Sequence, residues 1–318
     1  MSIPCSAIHL KVFRYSENPP RTLCDSAIVL DKPPNIPHNL RSMPGPKRLK
    51  WFFALNEASP SFADYADMTR VAVHSALKHT SLVPYFIYDG EENSLTDFLR
   101  GRGVTIIQRR TFLYDQLKDL AQKTGRPEIL SIGAGTFLRT ELPELAAEAG
   151  ITDQYVLYTD CDIMFMTEVC DYFGALQPQY FAVGPEIKPA DYRNMNAGVM
   201  LMNLHSLTEQ NVRFKQHVVD NLPGLTESTW DQEAYKRFYG RRWPAKPRWD
   251  RLSKEYNWKP YWGDCSSARL VHFHGPKPFH RELIRSRQAP DIFMWLAKAS
   301  YLESCKIWDE MLAESLET

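Results

Sequence analysis

A chain of 318 residues is too long for a minimal domain and suits one large α/β domain with a sizeable core. Hydrophobic residues at 44% and charged residues at 24% are those of an ordinary soluble globular protein. Lys plus Arg equal Asp plus Glu at 38 each, so the overall basic excess expected of a nucleic-acid-binding protein is missing.

The opening segment, MSIPCSAIHLKVFRYSENPP, holds no apolar run long enough for a secretory leader. Nowhere is there a run of about 18 apolar residues, so no transmembrane segment is expected. That leaves peripheral contact with a membrane surface open. The cysteines at 5, 24, 161, 170, 265 and 305 are scattered and form no C-x-x-C pair, a pattern of reduced thiols in a cytoplasmic protein. Residues 1–47 are rich in proline, with Pro19, Pro20, Pro33, Pro34, Pro37, Pro44 and Pro46 among them, and proline breaks helices and central strands. They read as an extended arm with one short strand at Ile8–Phe13.

From Leu49 the texture changes. Leu49–Leu55 reads as a buried strand, and Asp64–His79 as a helix with Met68, Val71, Ser75 and Ala76 on one side. Val83–Tyr88 is a second strand, ended by the turn signal Asp89-Gly90. Ser94 is placed to cap a short helix, and Val104–Ile107 is a third strand. Gly135–Ala149 has helical spacing through Leu138, Leu142, Leu145 and Ala149, and Tyr155–Tyr158 is a fourth strand. Further strands are expected at Tyr180–Val183, Val199–Leu204 and Arg269–Phe273, with helices over 206–221 and 231–239. Strands alternating with helices predict a mostly parallel sheet with helices on both faces. The stretch 288–316 reads as one or two C-terminal helices whose apolar set is Ile292, Trp295, Leu296, Leu302 and Trp308.

Four segments carry chemistry. Asp160-Cys161-Asp162 follows the strand YVLYT, and ligands gather at the carboxyl ends of strands in an α/β sheet. Two carboxylates there suit a hard divalent cation that also holds phosphate oxygens. By composition a chain of this length contains about one D-x-D, so the delivering strand is what gives the pair meaning. Asn196-Ala197-Gly198 opens the run VMLMNL and permits close approach of ligand or backbone. Asp231-Gln232 stands at a helix start, where the carboxylate serves equally as a cap or as the edge of a sugar pocket. His272-Phe273-His274-Gly275-Pro276-Lys277 combines a nitrogen ligand, most natural for Mn²⁺ among oxygen-loving ions, with a cation for phosphate.

In order and spacing these segments resemble the GT-A glycosyltransferases of family 8, which include glycogenin and bacterial lipopolysaccharide galactosyl- and glucosyltransferases. The matching text is ALNE at 54–57, FLRTELPEL at 137–145, VLYTDCDIMF at 156–165, NAGVMLMNL at 196–204, WDQEAY at 230–235 and HFHGPKP at 272–278. The resemblance implies a Rossmann-like GT-A domain over 48–280, between the arm at 1–47 and a C-terminal helical extension at 281–318. It also implies a retaining, Mn²⁺-dependent (or Mg²⁺-dependent) transfer from a UDP-sugar to a glycan, lipid-linked or protein acceptor. Ala54, Leu55 and Asn56 would line the uracil and ribose pocket, and Arg139 would touch the donor sugar and phosphates. Asp160, Asp162 and His272 would hold the metal, and Gly275 and Lys277 the diphosphate. Asn196 and Ala197 would touch the donor sugar or acceptor, Asp231 would bind sugar hydroxyls, and Gln232 would stand near the reacting face.

The chain departs from the family pattern twice. Only Pro276 separates Gly275 from Lys277 where two residues are usual, which makes the loop tighter and His274 a replacement for, or assistant to, His272. Glu233 stands where the family commonly has Asp. A haloacid-dehalogenase-like phosphatase also begins from D-x-D after a strand, but wants Thr or Ser where Met164 stands. The non-enzymatic alternative is a decayed transferase-fold scaffold or nucleotide-sugar-binding protein.

Overall fold

Strand β1, Lys50–Asn56, shows the period of two that organises the whole sheet. Trp51, Phe53 and Leu55 face one hydrophobic cluster and Phe52 faces another, so the strand is covered on both sides. Each such fully buried side chain contributes roughly 1.5–3 kcal/mol of transfer free energy. The computed structural model describes residues 48–240 and 245–317. The Pro-rich arm expected over 1–47, with its strand at Ile8–Phe13, lies outside them.

The chain then alternates through helix α1 (Phe62–His79), β2 (Val83–Asp89), α2 (Ser94–Gly101) and β3 (Thr105–Gln108). Next come α3 (Tyr114–Thr124), α4 (Glu128–Thr136) and α5 (Leu142–Glu148), then β4 (Tyr155–Thr159), β5 (Ile163–Phe165) and α6 (Cys170–Ala175). After β6 (Phe181–Pro185) and β7 (Met195–Asn203) follow α7 (Leu204–Thr226), α8 (Trp230–Tyr239), β8 (Asp250–Arg251) and β9 (Leu270–His272). The chain closes with α9 (Arg281–Arg285), α10 (Asp291–Leu296) and α11 (Tyr301–Glu317).

Seven strands form one sheet in the order β3-β2-β1-β4-β7-β6-β8. Only β7 runs against its neighbours; the other pairings are parallel, giving the mixed, mostly parallel sheet of a GT-A fold. Helices α1, α2 and α6 cover the face presented by Trp51 and Phe53, while α3, α4, α5, α7 and α8 cover the other. The order reverses between β1 and β4, and such a reversal opens a crevice at the strands' carboxyl ends. β5 and β9 pair antiparallel as a small second sheet, which brings Ile163 opposite His272.

Three local expectations are corrected. The short helix is capped by Asn93, not Ser94: Asn93 Oδ1 accepts from Leu95 N at 2.9 Å, and Thr96 Oγ1 accepts from Asn93 N at 2.9 Å. The single helix expected over 135–149 is broken. α4 ends at Thr136, a 3₁₀ turn occupies Phe137–Glu141, and Pro143, lacking an N–H, sits in the first turn of the restarted helix. Leu138, Leu142 and Leu145 are buried as their spacing implies, whereas Ala149 lies beyond the helix end and is exposed. At the C-terminus Trp295 and Leu302 are 49% and 45% exposed, contrary to the expected apolar set. The break between α10 and α11, with Ala299 at φ 50°, resets the helical phase. Burial passes to Phe293 and Leu296, then to Tyr301, Cys305, Trp308 and Met311. The α11 residues join Met68 and Val71 of α1, Met164 and Val271 of the small sheet, and Phe273 just after it in a third core. Among the described residues no helix is long and apolar enough to cross a membrane, and Cys161, Cys170, Cys265 and Cys305 are buried free thiols.

Candidate functional site

Asp160 and Asp162 leave the carboxyl end of β4, where Asp160 N donates to Gly198 O at 2.9 Å across to β7. β9 delivers His272 to the same place through its pairing with β5. One ligand atom from each of Asp160, Asp162 and His272 falls within 4.8 Å of the others. Asp162 Oδ1 is buried with no hydrogen-bond partner and lies 3.4 Å from His272 Nε2. A buried acceptor so left is costly unless a cation or proton meets it. Two carboxylate oxygens and one imidazole nitrogen therefore fit a divalent metal ion.

Charge balances tightly around this cluster. Burial lowers His272 to about 4 despite the neighbouring Asp162, which keeps the ring neutral. Burial alone would raise Asp162, but the Lys277 ammonium beside it holds its carboxyl well below the usual range. Lys277 Nζ donates to Asp162 Oδ2 and, at 2.7 Å, to the Phe273 carbonyl. Burial raises the Asp160 carboxyl against the opposing pull of Arg139. Arg139, buried, reaches Asp160 Oδ1 at 3.2 Å and Asp231 Oδ2 at 2.8 Å, donates to the Ala197 carbonyl, and lies 4.6 Å from the Tyr158 ring centroid. One guanidinium thus ties together the segments at 160, 197 and 231.

Gln232 Oε1 accepts from Ala197 N at 2.8 Å and faces Asn196 Nδ2 at 3.4 Å. The turn into α8 is strained, since Trp230 holds φ 54°, a conformation that costs a bulky residue of order 1–3 kcal/mol. Glu233 turns to Arg237 at 2.8 Å, one helical turn on. Gly198 is bare because a Cβ there would run into the His272 ring, and Gly275 adopts φ 92° in the tight loop before Lys277. At the end of β1, Asn56 is buried and donates to Ser131 O at 2.8 Å, while the Leu55 side chain enters the core on the α1 face. Ala54 is half-buried, its carbonyl accepting from Cys161 Sγ at 3.3 Å.

The structure separates the two histidines. His274 Nε2 meets Glu186 Oε1 at 3.1 Å and its Nδ1 meets Tyr261 Oη at 2.8 Å, so both ring nitrogens are engaged away from the carboxylate pair. Three polar residues that sequence reasoning missed complete the surroundings. Glu186 follows β6; burial would raise its carboxyl, but His274 and Lys259 hold it down to about 2. Asn257 links His272 to Asn196, and Lys259, fully buried and lowered by burial to about 7, donates to the Pro185 and Asn257 carbonyls. None lies in a recognisable motif; each is a single polar residue with at least one partner distant in sequence.

The sequence matches the family model described as glycosyl transferase family 8 over residues 60–282. Among solved structures it is similar to the galactosyltransferase LgtC in complex with donor and acceptor sugar analogs, at 17% identity and a TM-score of 0.55, covering 84% of this chain and 96% of that one. It is also similar to the apo-form glycosyltransferase GlyE of Streptococcus pneumoniae TIGR4, at 16% identity and a TM-score of 0.53, covering 81% of this chain. The chain spans 64% of the length of that GlyE structure. At such identities the likeness speaks for the fold. No curated protein matches the sequence.

Proposed function

The chain belongs to glycosyl transferase family 8 and is a glycosyltransferase, and from that premise we propose that it transfers a hexose or related sugar from a UDP-sugar with retention of configuration and dependence on a divalent metal. The observation that carries the proposal is the convergence of Asp160, Asp162 and a neutral His272 beside Lys277, at the crevice between β1 and β4. A divalent ion held there, Mn²⁺ or Mg²⁺, would supply charge stabilisation to a leaving diphosphate. The acceptor is a glycan, a lipid-linked saccharide or a protein, met at a cytoplasmic site or a membrane surface.

Lys277 is the cation beside Asp162 in the site. Its ammonium now neutralises Asp162, and a donor diphosphate would offer it a second anion within reach of the same stem. Asp231 and Arg139 form the floor on which sugar hydroxyls would be oriented, since both are buried and mutually paired. Ala54 and Asn56 would contribute to the nucleoside pocket at the end of β1, with Leu55 offering its backbone. Gly275 lets the closing loop approach phosphate, and Asn196 and Ala197 carry Gln232 to the reacting face.

Retention is supported by the state of the carboxylates among the described residues. An inverting transfer needs a base that takes the acceptor proton from the face opposite the leaving group. Glu186 is the carboxylate nearest Gln232 in the hydrogen-bond network, but one oxygen meets His274 and the other accepts from Asn196 at 2.9 Å. So engaged and so acidic, it is a poor base. The departing phosphate oxygen is left to take the proton, which brings the acceptor in on the same face, with Gln232 stabilising the cationic sugar. The deciding experiment is a hydrolysis screen of UDP-Glc, UDP-Gal, UDP-GlcNAc, UDP-GalNAc and UDP-Xyl with and without Mn²⁺. Turnover of one donor only with metal supports the proposal; no turnover and no donor binding by calorimetry overturns it.

A further inference from the structure

A chain of hydrogen bonds runs from Glu186 to His272 through two side-chain amides, and donor–acceptor logic fixes the direction of every link. Glu186 is a carboxylate and can only accept. Asn196 therefore turns Nδ2 toward Glu186 Oε2, at 2.9 Å. That leaves Asn196 Oδ1 facing the backbone N–H of Gly198 at 3.2 Å, a group that can only donate. The orientation of Asn196 is thus determined from both ends. Its Oδ1 also faces Asn257, which must present Nδ2, at 2.9 Å. Asn257 Oδ1 then faces His272 Nδ1 at 2.8 Å, and only a protonated Nδ1 can answer it. The proton of a neutral imidazole is then used up, and Nε2 presents a bare lone pair 3.4 Å from Asp162 Oδ1.

We propose that Asn257 is a positioning residue that locks His272 in the Nδ1–H tautomer, relaying a direction set by Glu186 and Asn196 so that Nε2 is kept ready for a metal ion. The inference rests on the reading of Asp160, Asp162 and His272 as a metal site, and it adds a coupling: one buried amide joins the metal ligand to the motif carrying Gln232. The surroundings of Asn257 are shaped for this. It is fully buried, and Gly184 makes room for it, since a Cβ there would come within 2.9 Å of its Cβ and Nδ2. Its carbonyl is held by Lys259 Nζ at 3.1 Å, and the next residue takes His272 N onto its own carbonyl at 2.7 Å. Backbone and side chain of the same short segment therefore both grip His272. Metal-ligating imidazoles are oriented in this way by an outer partner on the other nitrogen, and losing that partner typically costs 10–100-fold in metal affinity.

The test uses the full chain, free of metal. Nitrogen-15 correlations of the His272 ring, assigned by their loss in His272→Asn, should show a protonated Nδ1 and a bare Nε2. A protonated Nε2 overturns the proposal. In Asn257→Leu the tautomer should become mixed and Mn²⁺ affinity by calorimetry should fall about 10–100-fold, the melting curve recording that the fold persists. Asn257→Asp keeps an acceptor for Nδ1–H but places an oxygen against Asn196 Oδ1. It should keep the tautomer and the Mn²⁺ affinity while weakening UDP-sugar binding. Equal Mn²⁺ affinity in wild type and Asn257→Leu, or the same loss in the Leu and Asp variants, overturns the lock. If Asn257→Leu does not fold, the wild-type spectrum and the Asp variant still decide. Should the wild type show the bare Nε2 yet bind no Mn²⁺, the metal reading fails and the tautomer lock stands.

Discussion

The two oxygens of Asp162 carry different loads: Oδ2 holds the ammonium of Lys277, while Oδ1 is buried without a hydrogen-bond partner. Asp160 is the more open member of the pair and leans on Arg139. Replacing Asp160 by Asn removes one ligand charge at a strand end and leaves the core untouched. Turnover should fall at least about 100-fold, the upper end of the loss from removing even an outer-shell partner, while the melting temperature stays within a few degrees of wild type. Full wild-type activity in EDTA would contradict the premise. Lys277 makes a different prediction, because the diphosphate gains charge as the glycosidic bond breaks. Lys277→Ala should lower kcat by about 10²–10³-fold, as removal of one charge-stabilising donor does, and raise KM by much less. A change confined to KM would mean that Lys277 binds ground and transition states alike. These residues were legible because each stands in a short segment of fixed texture after a strand or at a helix start. Glu186, Asn257 and Lys259 were not. Their roles come from contacts with Asn196, His272 and each other that only the folded sheet creates.

At the scale of elements, the segment from Lys254 to Trp262 alternates 3₁₀ turns with extended residues and carries no hydrophobic period to read. It nevertheless wedges between β6 and β9, and Lys259 is its buried anchor. Burial lowers the folded pKa of Lys259 to about 7 from an ordinary value near 10.5. Between those values the unfolded chain binds more protons than the folded one, so stability should rise with pH from about 7 upward, by at most about 1.4 kcal/mol per unit. Lys259→Met removes the titrating group, and its stability should stay flat over pH 7–9. Denaturant titrations of both proteins at several pH values check this; parallel curves would exclude Lys259 as the source. The long elements were readable for a simple reason. β1, β2, β4 and β7 are apolar runs buried on both faces, and α1 and α7 bury a regular stripe. Misreadings fell where a local event overrides the period: Pro143 restarting a helix, Asn93 taking the cap from Ser94, Ala299 turning the chain between α10 and α11. Helices α3 and α4 escaped the sequence reading because α3 buries little beyond Leu117 and Ala121, and α4 contains Gly133 and Gly135.

Taken as a whole molecule, the described chain brings residues from β1, β4, β7, α8 and β9 to one crevice, and the proposed retention rests on this convergence. UDP-sugars commonly carry an α linkage, so the question is on which face the acceptor enters. Entry opposite the leaving group requires a free base there. Asp231 is buried against Arg139, Glu233 is drawn to Arg237, and Glu186 has both oxygens engaged. Gln232 cannot accept a proton near neutral pH, and its oxygen already receives Ala197 N–H. The leaving phosphate is then the base best placed to take the acceptor proton, and it works only if the acceptor arrives on its own side. The product should keep the α configuration of the donor, as read from its anomeric coupling by NMR at the first turnovers. Glu186→Gln removes the carboxylate that reaches Gln232 through Asn196 and should leave that configuration unchanged, whatever it does to rate. A β product from an α donor in the wild type would mean that one of these carboxylates is released on binding, and would overturn the same-face route together with the role assigned to Gln232.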